Sequence, residues 1–415
     1  MATSDESRLL SLPMELLTRI TDMLNDESIP TLRLTCKTLE GATFGRFTKT
    51  FAFSCCCVYY EARWLSLKKF LHGPFRLVHS LKCVDFTTNP LERHHYSQMQ
   101  IAPGEDFENI DAAQKQFDLK EADEDELYEP LYADRQPSTA LIHSVLIDLK
   151  RLGPYVPIGF DLANTRFFRD ADIFLHNDIF VAIASSFCYI SELVLSRRCL
   201  DGVEELMAHL GTRLLSCTAR MNSFTFKSTD FLDEEFGDPL DESKLTFLAD
   251  ILRSAYCLFC LRLELDEYQH LSDPWAITRT LLFANPLDDL EQLSLHAIAV
   301  PEKQFLEVIA SCKESLNILN LGDVQLFECD EGWTTVFRTL TTLPKLEFLR
   351  LSCLTSGATV DVTIVLKLDF RNIKHWDKDT NTHIVLNNKR EVTAGLKDLS
   401  NGPLMYIETT PVPVT

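Results

Sequence analysis

The side chains best suited to chemistry in this chain are its thiols and imidazoles. Among 13 cysteines and 11 histidines, Cys257 and Cys260 form a C-x-x-C pair, a spacing at which two thiols can exchange a disulfide or share a metal. Cys55, Cys56 and Cys57 are consecutive, and His94 adjoins His95. The context of each pattern argues against reactivity. A redox C-x-x-C follows a strand and opens a helix, whereas this one follows a helical pattern and leads into a strand. Neighbouring thiols in FAFSCCCVYY alternate across a strand and cannot converge on one ion. No second cysteine pair stands at zinc spacing, and His94 and His95 lie in a polar stretch. A phosphate loop, G-x-G-x-x-G, G-x-S-x-G and H-E-x-x-H are all missing. The expectation is a non-catalytic chain with no metal and no cofactor. Its cysteines, Cys36, Cys188, Cys257, Cys312 and Cys353 among them, read as reduced thiols in apolar surroundings.

What the residues do specify is surfaces. In residues 9–39, LLSLPMELLTRITDMLNDESIPTLRLTCKTL, Pro13 suits the start of a helix and Glu15 complements its dipole. Leu16, Leu17, Ile20, Met23 and Leu24 follow as one apolar stripe at helical period. Asn25–Ser28 break the pattern and Pro30 can open a second helix. Leu32, Thr35, Cys36 and Leu39 share one of its sides, Ile29 staples its entry, and Gly41 is the expected C-cap. A unit of about thirty residues cannot build a stable core alone, so the hairpin must pack on the chain, on a partner, or on both.

A repeat follows it. Apolar residues recur at i, i+3 and i+5 in six segments: Ile190/Leu193/Leu195, Met221/Phe224/Phe226, Leu258/Leu261/Leu263, Leu290/Leu293/Leu295, Leu316/Leu319/Leu321 and Leu346/Leu349/Leu351. Leu81/Val84/Phe86 forms a seventh. The alternating end of each segment is a half-buried strand. Helical patterns lie between them: one capped by Asp241, one begun at Pro301, one around Trp333, Val336, Phe337 and Leu340. A strand, a helix and a strand at near-constant period predict a parallel array of βα units. The residues flanking each inward Leu then share one face. Val194, Lys227, Arg262, His296, Asn320, Phe348 and Arg350 are the candidates there for contacting a protein, Phe and Arg being frequent hot-spot residues.

Composition excludes several classes. A net charge of −21 disfavours nucleic acid and anionic membrane surfaces, which require a basic face. The longest apolar run, near Ile179–Ile190, is broken by two serines and is too short to span a bilayer. MATSDES is no signal peptide, so a cytoplasmic or nuclear location is expected. Residues 88–138 are acidic and punctuated by proline, with Glu121, Asp123, Glu124, Asp125 and Glu126 nearly continuous, and read as a disordered insert. A helix resumes at Thr139–Leu152. Val360, Val362, Ile364, Leu366 and Leu368 alternate as an edge strand, in a segment expected to cap the array, with ETTPVPVT as a frayed tail.

Two resemblances give these surfaces a direction. Leu12, Pro13, Glu15, Leu16, Ile20 and Leu24, then Leu32, Cys36 and Lys37, resemble the F-box. Thr35 stands where that family usually has Val, and Leu39 or a neighbour where it often has Trp. The repeats resemble a leucine-rich-repeat horseshoe, except that Arg198, Asp266, Ile298, Val324 and Leu354 occupy the place of its usual Asn or Cys, so the side-chain ladder of that family is missing. The division is then 1–50, F-box-like helices; 51–87, the first strand and helix of the array; 88–138, the insert; 139–357, an irregular βα solenoid; and 358–415, cap and tail. The fold class is α/β. The resemblance implies a substrate-recognition subunit of an SCF-type ubiquitin ligase. Its F-box residues Leu12, Pro13, Glu15, Leu16, Ile20, Leu24, Leu32, Cys36 and Leu39 would bind a Skp-type adaptor and, through it, a cullin. Its repeats would hold an unknown protein target. The alternative is an interaction scaffold without ligase activity.

Overall fold

The i, i+3, i+5 pattern folds as strands whose inward residues stack in rows. A computed structural model describes residues 12–24, 28–33, 35–39, 41–43, 54–59, 61–72, 81, 83–87, 137–152, 156–162, 173–200, 202–227, 241–265, 274–284, 287–329, 332–356, 365–368, 383–386, 388–401 and 405–408. Nine strands carry the array: β1 (Ser54–Val58), β2 (Cys83–Thr87), β3 (Ile158–Asp161), β4 (Glu192–Ser196), β5 (Ser223–Lys227), β6 (Cys260–Glu264), β7 (Gln292–Pro301), β8 (Ile318–Phe327) and β9 (Phe348–Ser352). They pair in parallel and in chain order. One inward row runs Phe86, Phe160, Leu193, Phe224, Leu261, Leu293, Leu319, Leu349. All eight side chains are buried. Burial of each stabilises the array by roughly 1.5–3 kcal/mol.

The helices between the strands are α3 (Glu61–Leu71), α4 (Thr139–Arg151), α5 (Ile173–Ser186), α6 (Val203–Thr218), α7 (Glu242–Ser254), α8 (Pro274–Leu282), α9 (Glu302–Ser311) and α10 (Trp333–Leu340), numbered after α1 (Met14–Asp22) and α2 (Ser28–Arg33) of the N-terminal hairpin. Helices pack on their chain neighbours: α3 on α4, α4 on α5, α5 on α6, α6 on α7, α7 on α8 and α9 on α10. The result is an α/β architecture with a mostly parallel open sheet and neighbouring helices in contact, an arrangement compatible with a solenoid, in which each unit meets chiefly the units beside it.

Backbone hydrogen bonds lock the units at the entrance to each strand. The carbonyl of Ser191 accepts from Asn222 and Ser223 N–H, and that of Asn222 from Phe259 and Cys260 N–H. The carbonyl of Phe259 accepts from Glu291 and Gln292, and that of Glu291 from Asn317 and Ile318. Asn317 accepts from Glu347 and Phe348, every distance in the series lying between 2.8 and 3.1 Å. A second device acts at the other end. Ala297, Asp323 and Cys353 have φ of 52, 50 and 49°, a left-handed conformation costing a non-glycine residue roughly 1–2 kcal/mol. They occupy one register position, just past the paired His296, Gly322 and Ser352. The kink turns the next side chains, Ile298, Val324 and Leu354, into the core. The strand then resumes, so that Ile298–Pro301 pair with Val324–Phe327 and Thr355–Ser356 with Gln325–Leu326. These apolar residues hold the positions of the missing side-chain ladder, and a backbone ladder takes its place.

The chain ends in a different arrangement. β10 (Thr355–Ser356) pairs with β11 (Val365–Leu368), β11 with β13 (Met405–Glu408), and β12 (His383–Leu386) with β9, all antiparallel. The helix α11 (Lys389–Asn401) buries Val392, Leu396 and Leu399 and packs on α10. A cβ at Gly395 would lie 2.5 Å from Leu386 Cδ1, so this helix needs glycine to approach β12. The expected edge strand is corrected: Leu366 and Leu368 lie on β11, which pairs with β10 on one side and β13 on the other. Val360, Val362 and Ile364 lie outside the described residues, as do residues 88–136 of the acidic segment and the terminal ETTPVPVT. Ser138, at that segment's end, is the N-cap of α4, accepting from Leu141 N–H at 3.3 Å.

Asp241 caps α7 as its position predicts, accepting from Lys244 N–H at 2.8 Å. The Ser243 hydroxyl and then the Lys244 N–H hold its carboxyl below the usual aspartate value. Such a depressed group stabilises the fold above its unfolded pKa of about 3.9 and loses that contribution as pH falls through the lower folded value. Asp241→Ala is expected to cost about 1 kcal/mol at neutral pH. Thermal melts of the two proteins should converge as the solution is taken below pH ~3.9.

Candidate functional site

The first surface is the N-terminal hairpin. The carbonyl of Pro13 accepts from Leu16 and Leu17 N–H at 3.0 and 3.1 Å, which starts α1 (Met14–Asp22). The next helix, α2 (Ser28–Arg33), begins two residues ahead of Pro30. Residues 37–39 and 41–43 are helical as well. The expected C-cap at Gly41 is therefore corrected: this glycine is helical, and only Gly202 and Gly332 have left-handed φ among the described glycines. The Thr21 hydroxyl donates to Ala42 O at 3.3 Å and ties α1 to the last of these helical residues.

Leu17, Leu39 and Ala42 form a small buried cluster of their own, with Leu12, Leu32 and Cys36 packed against it. It is separate from the continuous core that runs from Cys57 to Leu399. The stripe expected along α1 is split by this cluster. Leu17 and Thr21 turn inward, and Leu24 is half-buried. Leu16, Ile20 and Met23 face out, at 45%, 39% and 86% exposure. On an α-helix these three positions lie within one narrow arc. Pro13 and Glu15 are exposed beside them. Of the residues expected to bind an adaptor, Pro13, Glu15, Leu16 and Ile20 are exposed, Leu12, Leu24, Leu32 and Cys36 are half-buried, and Leu39 is corrected to the hairpin's own core.

The second surface is the sheet face turned away from the inward rows. Strand register aligns Val194, Thr225, Arg262, Ser294, Asn320 and Arg350 in one row. It aligns Ser196, Lys227, Glu264, His296, Gly322 and Ser352 in another, and Glu192, Ser223, Cys260, Gln292, Ile318 and Phe348 in a third. Val194, Arg262, Asn320 and Phe348 are half-buried, and His296 and Arg350 are exposed. Lys227 pairs with Glu264 at 3.9 Å, and His296 with Asp323 at 3.3 Å. Ser196, Thr225 and Gly322 are buried, which corrects their place among the available outward residues. Ser196 is covered by the 3-10 turn Arg197–Leu200, whose Cys199 Sγ lies 3.4 Å from its hydroxyl. At Gly322 an added Cβ would stand 2.5 Å from His296 Cδ2, so the absent side chain makes room for the imidazole.

Of the thiols expected in apolar surroundings, Cys188 and Cys312 are buried, Cys36 and Cys257 are half-buried, and Cys353 is exposed. Burial pushes Cys188 and Cys312 up to about 12 and Cys217 to about 11. Cys260 of the C-x-x-C is likewise raised by burial, the opposite of the lowered value that thiolate attack requires. Cys353, expected in an apolar context, is exposed at the kink after β9. Among the described residues no helix is long and apolar enough to cross a membrane. The arrangement therefore offers two surfaces for binding, an apolar one on a nearly independent hairpin and a mixed polar one on the sheet. No protein-family model and no curated protein matches this chain.

Proposed function

We propose that the chain is the substrate-recognition subunit of an SCF-type ubiquitin ligase. The hairpin is an F-box that binds a Skp-type adaptor and, through it, a cullin. The strands form an irregular leucine-rich-repeat horseshoe whose open face holds an unknown protein target. The protein contributes affinity and orientation, bringing a target lysine near a ligase-bound conjugating enzyme, and makes no bond itself. It would act in the cytoplasm, the nucleus or both.

One observation carries this reading: a helix that has already satisfied its own core still presents Leu16, Ile20 and Met23 to solvent. Contiguous exposed apolar side chains on a soluble chain mark a binding surface more often than a structural one. Full burial of an exposed side chain of this kind is worth roughly 1.5–3 kcal/mol before the costs of association. Met23 can supply most of that, and Leu16 and Ile20, at 45% and 39% exposure, about half of it or less. Co-purification of the full chain from cell extract tests the proposal. The adaptor together with a cullin is the expected result. The adaptor without a cullin supports the scaffold instead, and capture of neither removes the F-box reading.

A further inference from the structure

Every exposed large aromatic side chain among the described residues lies on one rim of the array. Phe187 and Tyr189 precede β4, Tyr256 and Phe259 precede β6, and Phe283 precedes β7. Arg220 occupies the corresponding connection before β5. These connections adjoin in space because the strands they feed are neighbours. Exposed aromatics scattered over a surface would need no explanation; confinement to three of four consecutive connections on one side does.

Cations are set among the rings. The Arg220 guanidinium lies 4.8 Å from the Tyr189 ring centroid. It also hydrogen-bonds the Tyr256 side chain, which raises its pKa above the ordinary arginine value. Next to it, Lys150 Nζ and Arg213 stand 5.4 and 5.6 Å from the Phe187 centroid. In a chain of net charge −21, three cations here engage ring faces and, for Lys150, the Ser186 carbonyl at 3.1 Å. The ion pairs seen in the described residues involve other groups. The basic stretch ends at the connection before β7, where Asp288, Asp289 and Glu291 are exposed.

The rim is also held in place. Phe259 both donates to Asn222 O and accepts from Glu291 and Gln292 N–H in the backbone ladder, and Tyr256 N–H donates to Ala219 O at 3.2 Å. A surface fixed before its ligand arrives loses little conformational entropy on binding. Tyr, Phe and Arg together are the side chains that dominate interface energetics.

We infer that this rim is a docking surface for an extended acidic segment of another protein, with carboxylates meeting Lys150, Arg213 and Arg220 and intervening apolar side chains packing on the rings of Phe187, Tyr189 and Tyr256. Lys150, Arg213 and Arg220 join none of the ion pairs seen among the described residues, so carboxylates spaced along such a segment meet three cations at short range. The negative charge of the whole molecule favours a segment whose acidic residues are interleaved with apolar ones over a uniformly charged polyanion. The inference is independent of the hairpin and of any ligase activity.

A random peptide library displayed on phage, selected on the immobilised full chain, tests it. Enriched peptides should combine Asp or Glu with apolar residues. A labelled peptide of that consensus should lose about tenfold in affinity against Arg220→Glu and against Tyr256→Ala, and weaken with added salt. It should bind the variant Leu16→Asp as it does the unaltered chain. Tyr256 is 63% exposed, and unchanged thermal melts of both rim variants would exclude unfolding as the cause. Enrichment of basic peptides, no enrichment, equal binding by the rim variants, or tighter binding of a labelled oligouridine than of the acidic peptide would each overturn the inference.

Discussion

Leu16→Asp combined with Ile20→Asp should reduce capture of a Skp-type adaptor by about a thousandfold while leaving the array folded. Each change removes an apolar side chain worth roughly 1.5–3 kcal/mol when buried and adds a carboxylate that an apolar interface cannot solvate. A loss of about 4 kcal/mol corresponds to three decades of affinity. Both positions are exposed and both lie outside the hairpin's own cluster. The double variant should therefore melt like the parent in circular dichroism. Leu17→Asp is the contrasting case, since Leu17 is the centre of that cluster, and it should unfold the hairpin. Adaptor binding by the double variant at parental strength would end the F-box assignment.

The second large effect concerns the array. Phe224 is fully buried on β5, between Leu193 and Leu261 in its inward row. Phe224→Ala should destabilise by about 3–5 kcal/mol, combining lost transfer energy with the cavity left between two strands whose backbones are fixed by hydrogen bonds. Chemical denaturation followed by tryptophan fluorescence provides the measurement, because Trp64 and Trp333 are buried near opposite ends of the sheet. A shift of less than about 1 kcal/mol would mean that the rows are not the source of stability described above. In a stack of this kind the defect also weakens communication between the units on its two sides.

The sequence revealed the strands well because inward Leu and Phe positions repeat at fixed offsets, and burial acts on every one of them. Each of the six segments became a strand in the predicted register. The helix starts at Asp241 and Pro301 were readable for the same reason, being local chemistry, whereas the cap at Ser138 was hidden at the edge of the acidic segment. Other features depend on geometry that no residue type encodes. The kink residues are Ala297, Asp323 and Cys353, three side chains with nothing in common except a backbone conformation. The helix at Lys389–Asn401 was not anticipated, because Lys, Arg, Glu and Asp surround the Val392, Leu396 and Leu399 that face inward. The rim escaped notice because its aromatics lie between elements, at no fixed period, and meet only when the strands are laid side by side. The division of the α1 stripe was invisible because Leu16 and Leu17 are chemically identical, and only the position of Leu39 and Ala42 tells them apart.

Strictly sequential pairing has a mechanical consequence. Each central strand of the array is gripped by its predecessor and its successor, and among the described residues no strand is threaded between those of β1 to β8. Tension applied at the two ends of such a sheet would meet no single clamp. It would peel strands off one after another, each release exposing a new edge of nearly the same strength, so the molecule would yield as a series of small steps. A recognition surface spread over several strands would be lost gradually under such a load, beginning at the end that is pulled first.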